Sequence, residues 1–163
     1  MGLLEPHGRS CRPFRRDALS APGAAPAIVV HSLTQAVAAL EAAAAAGRDI
    51  VLLSAPGAGV YAGAGWWQAV IEAARAAVPA AKFSTILDCG GDAGAAQAAF
   101  RAGVEAMIFT GRDDVAERLA AIAEANGARL LTARPPPLVD LGELFFASSD
   151  TLRERCADAF ASI

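Results

Sequence analysis

Five short apolar runs in this chain each end in a residue able to move a proton or hold a polar ligand. His31 and Ser32 follow residues 27–30, Ser54 follows 50–53, and Asp88 with Cys89 follows 83–87. Thr110 and Arg112 follow 106–109, and Thr132 and Arg134 follow 129–131. Asp88 is the strongest single candidate. A carboxylate at the end of a buried run, followed by Cys89, Gly90, Gly91 and Asp92, could act as a general base, bind a sugar hydroxyl or approach a metal. His31 or Cys89 could assist it, the cysteine as a nucleophile, although a small buried thiol is a common core residue. No second carboxylate or histidine stands at ligand spacing from Asp88, so the expectation for metal is none. The competing assignment for Ser, Thr and Asp at these positions is structural, because they are the preferred N-caps of helices.

Two glycine-rich stretches extend the ligand possibilities. Gly57, Gly59 and Ala62 fall in GxGxxA order after the second run, with Asp88 standing where a ribose-binding acid would be. Against a dinucleotide, the first run does not carry the motif and Pro56 interrupts the turn, so no cofactor is expected. The same loop could be a lid with Tyr61 and Trp66 stacking on a ligand. Gly90, Gly91 and Gly94 expose amides before one helix, while Thr110, Gly111 and Arg112 precede the next, an arrangement suited to phosphate. Asp92, Asp113 and Asp114 crowd the same helix starts and oppose an anion there.

The elements that must position these residues are βα units. Residues 83–112 contain one complete step: a buried run, a glycine turn, an alanine-rich helix to Arg101, and a second buried run. Ser32 with Gln35 forms a capping-box signature for a helix over 33–46, with Leu33, Val37, Leu40 and Ala44 as its apolar face. A long loop over 55–65 leads to a helix from about Trp66 to Val78, with Trp67, Val70, Ile71, Ala74 and Val78 inward and Pro79 at its end. A further helix covers about 113–125, with Val115, Leu119 and Ile122 inward. Three times a helix ends in glycine and a buried run follows: Gly47 before Ile50, Gly103 before Ala106 and Gly127 before Leu130. This repeat is that of βα units with right-handed crossovers, which makes the sheet mainly parallel. Pro135, Pro136 and Pro137 end the pattern. Beyond them lie an apolar patch (Leu138, Val139, Leu141, Leu144, Phe145, Phe146), either a sixth core element or an intersubunit contact, and a last helix with Thr151 and Glu154 as a capping box.

Composition narrows the function classes. The chain has 163 residues, enough for one core without disulfides. Its three cysteines, Cys11, Cys89 and Cys156, show no CxxC spacing, so a disulfide framework and a zinc site are not indicated. A net charge of -3 offers no general attraction to nucleic acid or an anionic membrane. No apolar run approaches a bilayer span and the N-terminus lacks a signal-peptide pattern, so a cytoplasmic protein is expected. Residues 1–26, with Arg9, Arg12, Arg15 and Arg16 among prolines, read as a mobile basic arm.

The segment from Asp88 to Arg112, with its glycine turn, alanine-rich helix, Ala102-Gly103 and buried run, resembles the late βα units of phosphate-binding (βα) barrels such as the keto-deoxy-phosphogluconate aldolases. More broadly the chain looks like small bacterial α/β proteins with an LDCG turn. The aldolase resemblance implies a barrel-related fold, a phosphate-binding rim and lyase chemistry through a Schiff-base lysine. The single lysine, Lys82, precedes the third run at the wrong end of the sheet, so that mechanism does not carry over.

The expected architecture is α/β, with a mainly parallel five-stranded sheet, open and doubly wound (flavodoxin-like) or a partial (βα) barrel. It has an arm over 1–26, a repeat domain over 27–134 and a tail over 135–163 that packs on the domain or a partner subunit, and a homodimer through this tail is expected. Ligands of such sheets bind beyond the carboxyl ends of the strands. The expected function is binding of a small anionic or sugar-like metabolite there, through Ser54, Gly57, Gly59, Tyr61, Gly90, Gly91, Thr110 and Arg112, without catalysis. The alternatives are a lyase or isomerase using Asp88 as base, and a structural, partner-binding protein.

Overall fold

The computed structural model describes residues 25–163. The expected N-terminal arm therefore lies, but for its last two residues, outside the described residues. From Ala27 the chain alternates strand and helix: β1 (Ala27–Val30), α1 (Leu33–Ala45), β2 (Ile50–Ser54), the one-turn α2 (Ala58–Tyr61), α3 (Ala64–Ala77), β3 (Phe83–Asp88), α4 (Ala93–Arg101), β4 (Ala106–Ile108), α5 (Asp113–Ala125) and β5 (Arg129–Leu131). The segment after the prolines adds β6 (Val139–Asp140), a 3-10 turn (Gly142–Leu144) and α6 (Ser149–Ala161).

All strands pair in parallel, in the order β5-β4-β3-β2-β1-β6, and the sheet is open, with β5 and β6 as its edges. The order from β1 to β5 has no reversal, so successive crossovers of one hand turn to the same side of the sheet. The helices accordingly form a row: α6 packs on α1, α1 on α3, α3 on α4 and α4 on α5. The strands present alternate residues to two faces. Ile28, Val30, Ile50, Leu52, Leu87 and Met107 join the large core under this row of helices. Val29, Val51, Leu53, Ile86, Ala106 and Ile108 form a second cluster contributed by strands.

Among the described residues the expected five strands become six. β6 is only two residues long and follows three prolines, so it leaves no periodic signature. It is defined instead by pairing: Leu138 donates its amide to the Ala27 carbonyl and Leu141 donates to Val29, which extends the sheet beyond β1. Val139, Leu141, Leu152, Cys156 and Phe160 are buried in the main core, so the tail supplies core elements.

Helix faces also depart from expectation. In α1 the buried residues are Gln35, Ala36, Ala38, Ala39, Leu40, Ala42 and Ala43, while Leu33 is 41% exposed. An alanine-rich helix has little contrast between its sides, so the docking of α6 and the bonds of Gln35 decide which side is inward. In α5 Leu119 is buried but Ile122 is 39% exposed. The apolar face of α3 is as expected, with Trp67, Val70, Ile71 and Ala74 buried and Val78 buried at its end. The long loop is shorter than expected, because α2 forms within it and α3 starts at Ala64. The last helix is capped by Ser148, whose hydroxyl accepts from the Thr151 amide, rather than by Thr151.

The glycine repeat has a common geometry. At Gly47, φ is 62°, and Arg48 donates to the Ala43 carbonyl while Gly47 donates to Ala44, the paired bonds of a left-handed helix ending. The same two bonds recur after α4 and α5, and each ending turns the chain back to the amino edge of the sheet.

Candidate functional site

The strand ends are brought together by Asp88. Its backbone amide donates to the Ser54 hydroxyl at 2.9 Å, joining the ends of β3 and β2. Its carboxylate is 5% exposed as a residue and fully engaged: Oδ1 accepts from the amides of Gly57 (3.1 Å) and Gly90 (2.8 Å). Oδ2 accepts from Nη1 of Arg134 at 2.5 Å. Arg134 also donates from Nη2 to the Ser54 carbonyl at 2.7 Å. An arginine that follows β5 therefore crosses the sheet's carboxyl edge to the ends of β3 and β2. Charge-assisted bonds of this kind hold a guanidinium in one orientation. Five N–H groups are available to an arginine, so three remain beyond these two bonds.

A second pair stands on the neighbouring strands. His31 follows β1 and Asp140 ends β6, and His31 Nε2 lies 2.8 Å from Asp140 Oδ1. The same carboxylate oxygen accepts from the Gly142 amide at 2.8 Å. Gln35, fully buried in the first turn of α1, clasps both flanks of the pair. Its Oε1 accepts from the His31 amide at 2.7 Å, and its Nε2 donates to the Leu141 carbonyl at 2.7 Å. In a capping box this side chain returns to the N-cap amide; here it reaches one residue further back. Ser32 remains the N-cap, its hydroxyl accepting from the Gln35 amide.

Register relates the two pairs. Val30 is directly opposite Ser54, and Val29 is opposite Asp140. His31, one residue past Val30, thus stands on the strand beside the carbonyl that anchors Arg134, about 5 Å away in the sheet's pairing direction. By alternation His31, Asp88 and Asp140 continue the rows of Val29 and Ile86 on the second face of the sheet. The carboxyl edge of this face thus carries two acids, one histidine and one arginine.

The remaining expected residues fall into three groups. Ser54, Gly57 and Gly90 belong to this constellation, but as donors or acceptors for Asp88 and Arg134. Gly59 and Cys89 lie beneath it: a β-carbon on Gly59 would come within 2.8 Å of the Cys89 sulfur and 3.1 Å of the Asp88 carbonyl. Cys89 is wholly buried, and burial together with the charges of Asp88 and Asp92 pushes its thiol up to about 12. A thiol held protonated in this way is not a nucleophile at neutral pH. Gly91, Thr110 and Arg112 sit further along the edge, where Thr110 donates its amide to the Gly90 carbonyl. Arg112 turns to its own helix, donating from Nε and Nη2 to Asp114, so it does not converge on Asp88. Tyr61, on α2, is 69% exposed. The fingerprint glycine Gly57 gives its amide to Asp88, and α2 interrupts the strand-to-helix turn that a dinucleotide needs.

Asp140 and the role of Gln35 were not readable in advance, and Arg134 stood out only as one of several polar strand ends. Their partners lie 109, 106 and 46 residues away along the chain, respectively. Among the described residues no group of three or more His, Cys, Asp and Glu side chains could hold a metal ion. Two open depressions lie elsewhere. One, of about 630 Å³, runs between the ends of α1 and α6, and one, of about 840 Å³, is lined by Pro135, Pro136 and Pro137 at the amino edge. No helix among the described residues is long and apolar enough to cross a membrane. No family model matches the chain, and no curated protein matches it in sequence. Fold and site together define an open parallel α/β protein with a preorganised polar edge.

Proposed function

We propose that the protein binds a small, hydroxyl-rich, sugar-like metabolite at the carboxyl edge of the sheet, over the ends of β1, β2, β3 and β6. The observation that carries this reading is Arg134, half-buried and fixed by Asp88 and the Ser54 carbonyl, with three N–H donors uncommitted among the described residues. Local charge selects between sugar-like and strongly anionic ligands. Asp88 neutralises Arg134, Asp140 faces His31, and Arg112 is spent on Asp114. Among the described residues a phosphate dianion would meet no uncompensated cation there, whereas hydroxyl and carbonyl oxygens can use the free arginine donors. Asp88, with three donors on its carboxylate, serves this reading as the residue that orients Arg134 rather than as a base.

A thermal-shift series against polyols, ketoses and aldonic acids, run beside phosphorylated counterparts, tests it. A ligand at 100 times its dissociation constant raises stability by about 2.7 kcal/mol. Arg134→Met should abolish that shift. Preference for the phosphorylated member of each pair would refute the charge argument.

A second copy of the chain is the partner that the tail favours. Phe145 and Phe146 pack edge to face at 5.1 Å, yet are 48% and 97% exposed, an unusual placement for an aromatic pair. A homodimer through these rings predicts that Phe146→Ser lowers the mass measured in light scattering; an unchanged monomeric mass in both proteins would dismiss it. A cytoplasmic location accords with the same reading, which needs no membrane contact.

A further inference from the structure

We propose that His31 and Asp140 form a proton-transfer pair acting on the ligand of this same edge, with His31 as the catalytic base and Asp140 and Gln35 as positioning residues. The proposal rests on the binding reading above and extends it from binding to enolisation of a hydroxy-carbonyl compound.

Three features of the pair set it apart from a surface ion pair. The ring is oriented from one side only: Nε2 meets Asp140 Oδ1 at 2.8 Å, and no hydrogen bond joins Nδ1 to a described residue. When the carboxylate accepts the Nε2 proton, Nδ1 carries the lone pair that a base requires. The carboxylate is itself fixed by the Gly142 amide. A β-carbon at residue 142 would lie 2.8 Å from His31 Nε2 and 3.2 Å from Asp140 Oδ1, so the contact needs glycine there. Finally, the backbone on both sides of the pair is held by one buried side chain, that of Gln35. Burying an amide solely to join β1 and β6 is costly unless both its ends are satisfied, and here both are. The result is an imidazole locked at the strand end next to Arg134's anchor, as a base needs to be before substrate arrives.

The chemistry follows from the two groups. A carbonyl oxygen of the ligand accepts from the uncommitted N–H groups of Arg134. The C–H bond on the adjacent, hydroxyl-bearing carbon breaks, its proton passes to His31 Nδ1, and its electron pair forms the C=C bond of an enediolate. The former carbonyl oxygen takes the negative charge and is stabilised by the guanidinium. Return of the proton to the same carbon regenerates the substrate; its delivery to the former carbonyl carbon, with the neighbouring hydroxyl proton passing to the former carbonyl oxygen, gives the isomer, and no oxidant or external acceptor is consumed. His31 gains a proton and gives it back, while Asp140 holds the imidazolium between the two transfers.

The test uses the full-length protein with dihydroxyacetone in deuterium oxide. Saturation-transfer NMR reads binding and loss of the methylene signal reads exchange. The expected result is binding together with exchange faster than the same concentration of free imidazole gives. His31→Ala should keep binding and lose exchange by about 10²-fold or more, the usual weight of a general base. Added imidazole should restore part of it, a rescue that a merely structural histidine would not show. Asp140→Asn should lower the exchange rate with the dihydroxyacetone dissociation constant unchanged, and circular dichroism confirms folding of each variant. Binding without exchange in the wild-type protein, or exchange undiminished in His31→Ala, would overturn the proposal while leaving the binding reading intact. Absence of binding by the wild-type protein would remove both.

Discussion

Removing the Asp88 carboxylate should cost far more stability than removing an average surface acid. In Asp88→Ala the amides of Gly57 and Gly90 lose their acceptor, and Arg134 keeps its charge at a partly buried position without a counterion. Breaking a buried ion pair by deleting one partner costs about 3–5 kcal/mol, with the orphaned amides included in the upper part of that range. Such a loss is a large fraction of the roughly 5–15 kcal/mol that holds an ordinary domain together. It corresponds to a fall in melting temperature of about 10 °C for a chain of this size. Arg134→Met should cost less, because Asp88 retains two amide bonds and gains access to water. The double variant should therefore be more stable than the two single losses predict, by at least about 1 kcal/mol, as expected for residues in direct contact. Urea unfolding of the four proteins at pH 7 measures all of this, provided the slope with denaturant stays constant. A cost below about 1 kcal/mol for Asp88→Ala, or strict additivity in the double variant, would refute the claim that this pair anchors the strand ends.

Two further outcomes follow from the buried thiol and the glycine beside it. Burial raises Cys89 from 9.0 to about 12 and Cys156 from 9.0 to about 11, so both stay protonated in the folded protein at pH values where the unfolded chain ionises. Their contribution to stability is complete below about pH 9 and is lost as pH rises toward the folded values, at up to about 1.4 kcal/mol per pH unit for each thiol. Urea midpoints of the wild type and Cys89→Ala between pH 8 and 10.5 check this; equal slopes would count against it. Gly59→Ala should destabilise by about 1–3 kcal/mol, because the added carbon meets the Asp88 carbonyl and the Cys89 backbone as well as the thiol. Wild-type stability in calorimetry would mean that α2 moves away without penalty.

The sequence made the first five strands and their parallel pairing legible for a physical reason. Most strands are short β-branched or aliphatic runs, and each of the three glycine endings sits two or three residues before the next strand. Nothing comparable marks β6, whose two residues become a strand only because β1 leaves an edge to be paired. The face of α1 was obscured by alanine, which fits inward or outward almost equally well. At the site, Asp88 and His31 were visible as polar residues closing apolar runs. What each does depends on Arg134, Asp140 and Gln35, and those contacts join chain segments that no local pattern connects. Arg112 shows the converse: a promising position by motif, it is claimed by Asp114 two residues away.

The pairing of the first strand with the last bears on how the protein is made. During synthesis β1 to β5 can assemble in order as they leave the ribosome, but the outer edge of β1 stays unpaired until Val139 and Asp140 have emerged. An exposed strand edge is a template for wrong pairing, and late, sequence-distant contacts are the slow ones. Because Asp140 also completes the pair with His31, a chain in which β6 has not yet joined β1 cannot hold that histidine in place. Chemistry at this edge would then begin only in molecules in which β6 has docked beside β1.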